Sequence, residues 1–132
     1  MPAPIPAPFA AYCVELLSSV GPARSKRMFG GHGLSVGDDF IAIVTRDTLY
    51  LKTDDETRAQ FEAAGGRCFE YNARGEVHRT SYWTVPAEAM DSPDAVAPWA
   101  RLAIGAARRA AVKRMKKPLR AAKKVSPNTK KR

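Results

Sequence analysis

Every Asp and Glu of this 132-residue chain lies at or before Asp94, whereas twelve of its twenty-two Lys and Arg fall between Arg108 and Arg132. Through Ala107 there are ten basic and thirteen acidic residues, a formal charge of −3; the remainder carries +12, which brings the whole chain to +9. A segment this cationic repels itself when compacted, so a core must be built from the residues before Arg108. That length supports one hydrophobic core. The expected organisation is a proline-rich disordered lead over 1–8, one domain over 9–107, and a basic, largely disordered tail over 108–132. Pro118 is expected to end whatever helix precedes it, and from Leu119 on the Lys, Arg, Ala, Pro, Ser and Asn bury too little to offset the entropy of ordering them.

Periodicity divides the domain. Phe9, Tyr12, Cys13, Leu16, Leu17 and Val20 recur at helical steps, with Pro8 suited to the first turn and Gly21-Pro22 ending the helix. Short β-rich runs follow, Lys26 to Phe29, Leu34 to Val36, Phe40 to Thr45 and Thr48 to Lys52, which read as an antiparallel meander. In the third run Phe40, Ala42 and Val44 are expected on one face and Ile41 and Ile43 on the other, which marks a central strand covered on both sides. Thr53-Asp54-Asp55-Glu56 has the form of a capping box, with Thr53 at the N-cap and Glu56 three residues on, and Gly65-Gly66 closes the helix it opens. Cys68 to Tyr71 and Val77 to Val85 form a second hairpin through Asn72-Ala73-Arg74-Gly75. Ser92-Pro93-Asp94 starts a last helix, which Pro98 is expected to kink or to delay until Ala97, and whose apolar stripe fades after Ala111. The fold class is α+β: an antiparallel sheet made of a β-meander and a β-hairpin, flanked by three helices.

The chemistry-bearing residues point away from catalysis. Gly30-Gly31-His32-Gly33 lacks the Gly-Lys-Ser/Thr that opens the helix of a phosphate loop and reads as a glycine-rich turn. No Gly-x-Ser-x-Gly elbow or His-Glu-x-x-His pair is present, and Asp38-Asp39 and Asp54-Asp55-Glu56 sit where turns and helix starts ordinarily use acids. Cys13, Cys68, His32 and His78 fall on four separate elements, so no catalytic residue, metal site or cofactor is expected. Tyr50, Phe69, Tyr71 and Tyr82-Trp83 are expected to fill the space between sheet and helices, although aromatics on strands can also stack bases. No apolar run reaches the roughly 20 residues that cross a bilayer, and the N-terminus has no basic segment of a signal peptide; a cytoplasmic location without membrane contact is expected.

The run Arg27-Met28-Phe29-Gly30-Gly31-His32-Gly33-Leu34, followed by Leu49-Tyr50-Leu51-Lys52, Phe61, Phe69-Glu70-Tyr71 and Ser81-Tyr82-Trp83-Thr84-Val85-Pro86, resembles the N-terminal domain of the TfoX/Sxy family of bacterial competence regulators. The resemblance spans roughly Phe9 to Ala107. It implies an α+β domain with one antiparallel sheet flanked by helices, and a non-enzymatic role connected with transcription of DNA-uptake genes. Full-length members append a helical C-terminal domain, in whose place this chain has the basic segment, and Ser35 stands where the family commonly has an aromatic.

The reading that joins these features is a bacterial accessory regulator whose domain contacts a protein partner in transcription, or a second copy through a sheet edge or the last helix. Its tail is expected to bind nucleic acid without sequence specificity through Arg108, Arg109, Lys113, Arg114, Lys116, Lys117, Arg120, Lys123 and Lys124. The alternative is a protein-interaction module whose tail only aids solubility.

Overall fold

A computed structural model describes residues 8–28 and 31–116. Helix α1 spans Pro8–Leu17 and tightens into a 3-10 turn over Ser18–Val20. Pro8 opens it, as its missing N–H allows. Ala10, Cys13, Leu16 and Leu17 are buried, whereas Tyr12 stays 39% exposed and its hydroxyl donates to the carbonyl of Met90. Gly21 follows at φ 147°, and a Cβ there would lie 2.7 Å from Cγ1 of Val36, so only glycine lets the chain turn so closely against the sheet.

Six strands follow: β1 (Ala23–Met28), β2 (Gly31–Val36), β3 (Asp39–Thr45), β4 (Thr48–Lys52), β5 (Cys68–Ala73) and β6 (Glu76–Thr84). They form one antiparallel sheet in the order β1-β2-β3-β4-β6-β5. The meander and the second hairpin are thus as expected, joined where β6 pairs with β4. The β5–β6 turn uses Arg74 and Gly75, both at positive φ, the backbone a two-residue hairpin favours.

Directly paired residues share a face, so the register assigns the core. Leu34, Ala42, Leu51 and Trp83 form one row across four strands and are buried beneath the helices. One expected assignment is overturned. Leu34 pairs with Ala42 but Ser35 pairs with Phe40, which leaves Ile41 as an extra residue in β3. This bulge turns Ile41 and Ala42 both inward, each fully buried, and sends Phe40 to the opposite face at 38% exposure. There Phe40 lies over Gly33, where a Cβ would overlap its ring and sit 2.6 Å from Sδ of Met28.

The aromatics divide in the same way. Trp83 is in the core, and Phe61 packs edge-on against Trp99 with ring centroids 4.9 Å apart. Tyr50, Phe69, Tyr71 and Tyr82 do not fill the space between sheet and helices as expected. Their pairings place them on the face opposite Trp83, where Phe40 meets Tyr82, Tyr50 meets Phe69, and Tyr71 stacks on His78 at 5.2 Å. That face curls enough for Met28 of the first strand and Phe69 of the last to line one apolar cavity of about 80 Å³.

The capping box does not form. Thr53 is buried and its hydroxyl donates to the carbonyl of Ser81 across the sheet end. Asp54 holds the turn ahead of the helix instead: its Oδ1 accepts from the N–H groups of Glu56 and Thr57 and from the Thr57 hydroxyl, and Thr57 is the N-cap residue. Helix α2 then runs over Arg58–Ala63, burying Phe61.

The last helix differs most. α3 spans Pro93–Lys116, unbroken at Pro98 and continuing past Ala107 toward the Pro118 expected to end it, so the segment expected to be largely disordered from Arg108 is helical for its first nine residues. Ser92 caps it through its hydroxyl, which accepts from the N–H of Ala95 at 3.1 Å. Pro98 lies on the exposed side, where the one lost backbone bond leaves a carbonyl that water can reach. Alanines at 100, 103 and 106 are fully buried against the sheet, and the helix-favouring run Ala106 to Ala111 carries the element onward. No helix among the described residues is long and apolar enough to cross a membrane.

Candidate nucleic-acid interface

Beyond Ala106, α3 passes the end of the sheet at which β3 begins and β4 ends, and its cations sort by helical phase. Arg109 meets Asp54 through two hydrogen bonds, Nε to Oδ2 at 2.5 Å and Nη2 to Oδ1 at 3.2 Å, and its Nε also lies 3.3 Å from Oε2 of Glu56. This fork-on-carboxylate contact is the strong form of ion pair. It also accounts for Gly105, one turn earlier, where a Cβ would sit 3.3 Å from the Arg109 guanidinium. The same contact is the first cause holding the Asp54 carboxyl below its usual range. Arg108 reaches the other way, to Oδ2 of Asp39 at 3.0 Å.

These two arginines were expected to face phosphates. The structure pairs both with carboxylates of the domain, Arg109 half-buried and Arg108 still 71% exposed. Lys113 and Arg114 are exposed and form no ion pair among the described residues. Lys116 is the last residue of α3, and Lys117, Arg120, Lys123 and Lys124 lie outside the described residues.

A cation that the sequence did not single out joins this end. Lys52 closes β4 and is half-buried; its Nζ donates to Oγ of Ser81 at 3.1 Å and sits 5.3 Å from the Tyr82 ring centroid. Burial first, and then repulsion from Arg114, pull its pKa below the ordinary lysine value. Two surface cavities flank α3 at Ala110. One, of about 220 Å³, has Lys52, Arg58, Arg109 and Lys113 among its walls; the other, of about 200 Å³, has Lys52, Tyr82 and Arg114. Only Lys52 and Ala110 belong to both. Nothing local in the sequence could place Lys52 there, because its neighbours on α3 lie some sixty residues away.

The other candidates do not converge. Cys13 is buried in α1, and its thiol pKa is pushed up to about 12 by burial. Cys68 opens β5 beside Arg79, whose Nε lies 3.3 Å from its sulfur. His32 is in β2, with Nε2 buried and without a hydrogen-bond partner among the described residues, and His78 stacks on Tyr71. Among the described residues no three His, Cys, Asp or Glu side chains gather as a metal set.

Comparison with curated proteins returns no match. The family model for the TfoX N-terminal domain matches residues 15–107, which covers everything from the middle of α1 to the middle of α3. The six-stranded α+β architecture agrees with that match, and the chain belongs to the TfoX N-terminal domain family.

Proposed function

We propose that this protein is a non-enzymatic accessory regulator of the TfoX/Sxy type, connected with transcription or competence, whose basic C-terminal stretch holds nucleic acid without sequence specificity. The observation that carries this reading is the run of cations with no acid after Asp94, the first of them mounted on a helix anchored to the domain. Anchoring sets where the positive charge stands, and phosphates supply a salt-sensitive attraction for it. Arg108 and Arg109 are anchors in this reading, and contact falls to Lys113, Arg114, Lys116 and the cations beyond. Filter binding of duplex DNA by the full chain and by a chain ending at Lys116, at about 50 and 200 mM salt, tests it. The full chain should bind more tightly and with the steeper salt dependence; equal affinities and slopes would remove the cations beyond Lys116 from the mechanism, and no binding by either chain would remove the whole stretch.

A second reading has its own observation. Strand β5 is an edge with no Lys, Arg or Pro, in contrast to β1, which carries Arg24, Lys26 and Arg27. Beside β5, Tyr71 is 48% and Val77 61% exposed. Such an edge suits pairing with another strand, whether of a protein partner or of a second copy. Sedimentation of the full chain and of Tyr71→Lys distinguishes these: loss of an oligomer in the variant supports self-pairing, and a monomeric parent chain removes it.

A further inference from the structure

We infer that Lys52 and Lys113, with Ser81, form a site on the folded domain for a single phosphoryl oxyanion, seated in the larger of the two cavities beside Ala110 at the sheet end. The inference rests on the nucleic-acid reading only for the source of the phosphate, since a backbone phosphate and a free phosphate present the same chemistry.

The charge balance of the two cavities carries it. In the larger one, Asp54 is taken by Arg109 and Asp55 by Arg58 at 3.1 Å. Every acid of that cavity is thus engaged by an arginine, and Lys52 and Lys113 are left over. In the smaller one, Asp39 is held by Arg108, which leaves Asp38 as the lone unpaired acid against Lys52 and Arg114. The Lys52 charge counts once, so the positive surplus lies in the larger cavity, where both acids are already engaged, while in the smaller one Arg108 and Arg114 balance Asp38 and Asp39.

Lys52 is unusual for a surface lysine. It has given up part of its hydration, and among the described residues its one hydrogen-bond acceptor is the neutral hydroxyl of Ser81. An ammonium has three donors, so two are free for a ligand. Asp54 offsets only part of the cost of half-burying this charge, being already engaged by Arg109, and an oxyanion would relieve both the lost hydration and the repulsion from Arg114. Ser81 Oγ adds a polar group in the same cavity. Volumes of about 200 Å³ are below those of drug-sized sites yet admit a phosphate with a few waters, each of about 30 Å³.

The test follows amide shifts of the full chain by NMR during titration with inorganic phosphate, for the parent, for Lys52→Met and for the exposed variant Lys113→Gln. The parent should shift at Lys52, Ser81 and Ala110, and either variant should bind phosphate about tenfold more weakly, the loss expected for one charge-assisted hydrogen bond. Shifts located elsewhere, or unchanged affinity in both variants, would overturn the site. Lys113→Gln keeps the test decisive should Lys52→Met unfold, because its residue is solvent-exposed. Duplex DNA is the second arm. Weaker binding by both variants, with the salt slope reduced by about 0.9 per charge removed, identifies a backbone phosphate as the ligand. Phosphate seated at Lys52 in a chain without DNA affinity upholds the site and refutes the nucleic-acid reading. DNA binding with no phosphate response at Lys52 does the reverse.

Discussion

Asp54 is the point at which three elements are fastened, and its replacement by Ala gives the sharpest test of the fold's electrostatics. The carboxylate accepts from the N–H groups of Glu56 and Thr57 ahead of α2 and receives the fork of Arg109 from α3. Removing an aspartate that caps backbone donors in this way costs about 1 kcal/mol. The Arg109 pair adds less than its geometry suggests, because the side chains are 38% and 21% exposed and water screens them, so about 0.5–1 kcal/mol is appropriate. Asp54→Ala should therefore lose about 1.5–2 kcal/mol, or roughly 6–12 °C of Tm for a domain of this size. Arg109→Met should lose only the smaller share. Urea unfolding followed through Trp99, which abuts Phe61 of α2, reports both, and the double variant should show coupling of about 0.5–1 kcal/mol. A loss under about 0.5 kcal/mol for Asp54→Ala, or equal losses for the two single variants, would refute this division between cap and ion pair.

The same residue sets a pH dependence of known sign. The Arg109 hydrogen bond comes first among the causes that depress the Asp54 pKa in the folded state. Its contribution is therefore fully present above the unfolded value of about 3.9 and is lost as pH falls through the lower folded value. Asp54→Asn keeps much of the cap and removes the charge. The stability gap between the parent and Asp54→Asn should be constant near neutrality and close below about pH 4.

Three further outcomes follow from the packing. Gly33→Val should destabilise by about 1–3 kcal/mol in chemical denaturation through overlap with the Phe40 ring and Met28, with partial recovery in Gly33→Val/Phe40→Ala. Phe61→Ala should cost about 3–5 kcal/mol and change the Trp99 emission of the folded state, since the ring is fully buried against it. With a thiol reagent at pH 8, Cys68 should react in the folded protein and Cys13 only on unfolding, because burial holds Cys13 as the thiol while Cys68 is partly exposed.

The order of elements was readable because each rests on short-range rules: helical spacing in α1, β-rich runs broken by turn residues, and Ser92 ahead of α3. What escaped was decided between elements. The bulge that turns Phe40 outward has no local marker, since Phe40, Ala42 and Val44 alternate as a regular strand would; only the pairing of Ser35 with Phe40 reveals the extra residue. Thr53 and Asp54 both suit the turn ahead of α2, and its backbone donors fell to Asp54 because the Thr53 hydroxyl was claimed by the Ser81 carbonyl 28 residues on. The aromatics were assigned to the helical side by bulk alone, whereas register put Tyr50 and Tyr82 on the other side.

The length of α3 shows why composition misled about the basic segment. Uniform charge predicts that Arg108 onward repels itself, but a helix distributes its residues around an axis and can meet opposite charge on two sides at once. Arg108 and Arg109 are adjacent in sequence and point about 100° apart, so one reaches Asp39 at the start of β3 and the other Asp54 beyond β4. Two of the domain's surplus acids thereby neutralise the first two cations, and the helix is held on both flanks. Lys113 and Arg114, four and five residues beyond Arg109, lie past those acids, in the last turn, where cations suit the negative end of the helix dipole. The −3 of the domain thus helps to order the +12 segment at its root: carboxylates of the domain pair with its first two cations and fix the course of the helix there. Reversing the order of charge, with Asp39→Lys and Asp54→Lys together, should fray α3 back toward Ala107, seen as lost helical ellipticity; undiminished ellipticity would show that alanine propensity alone sustains the extension.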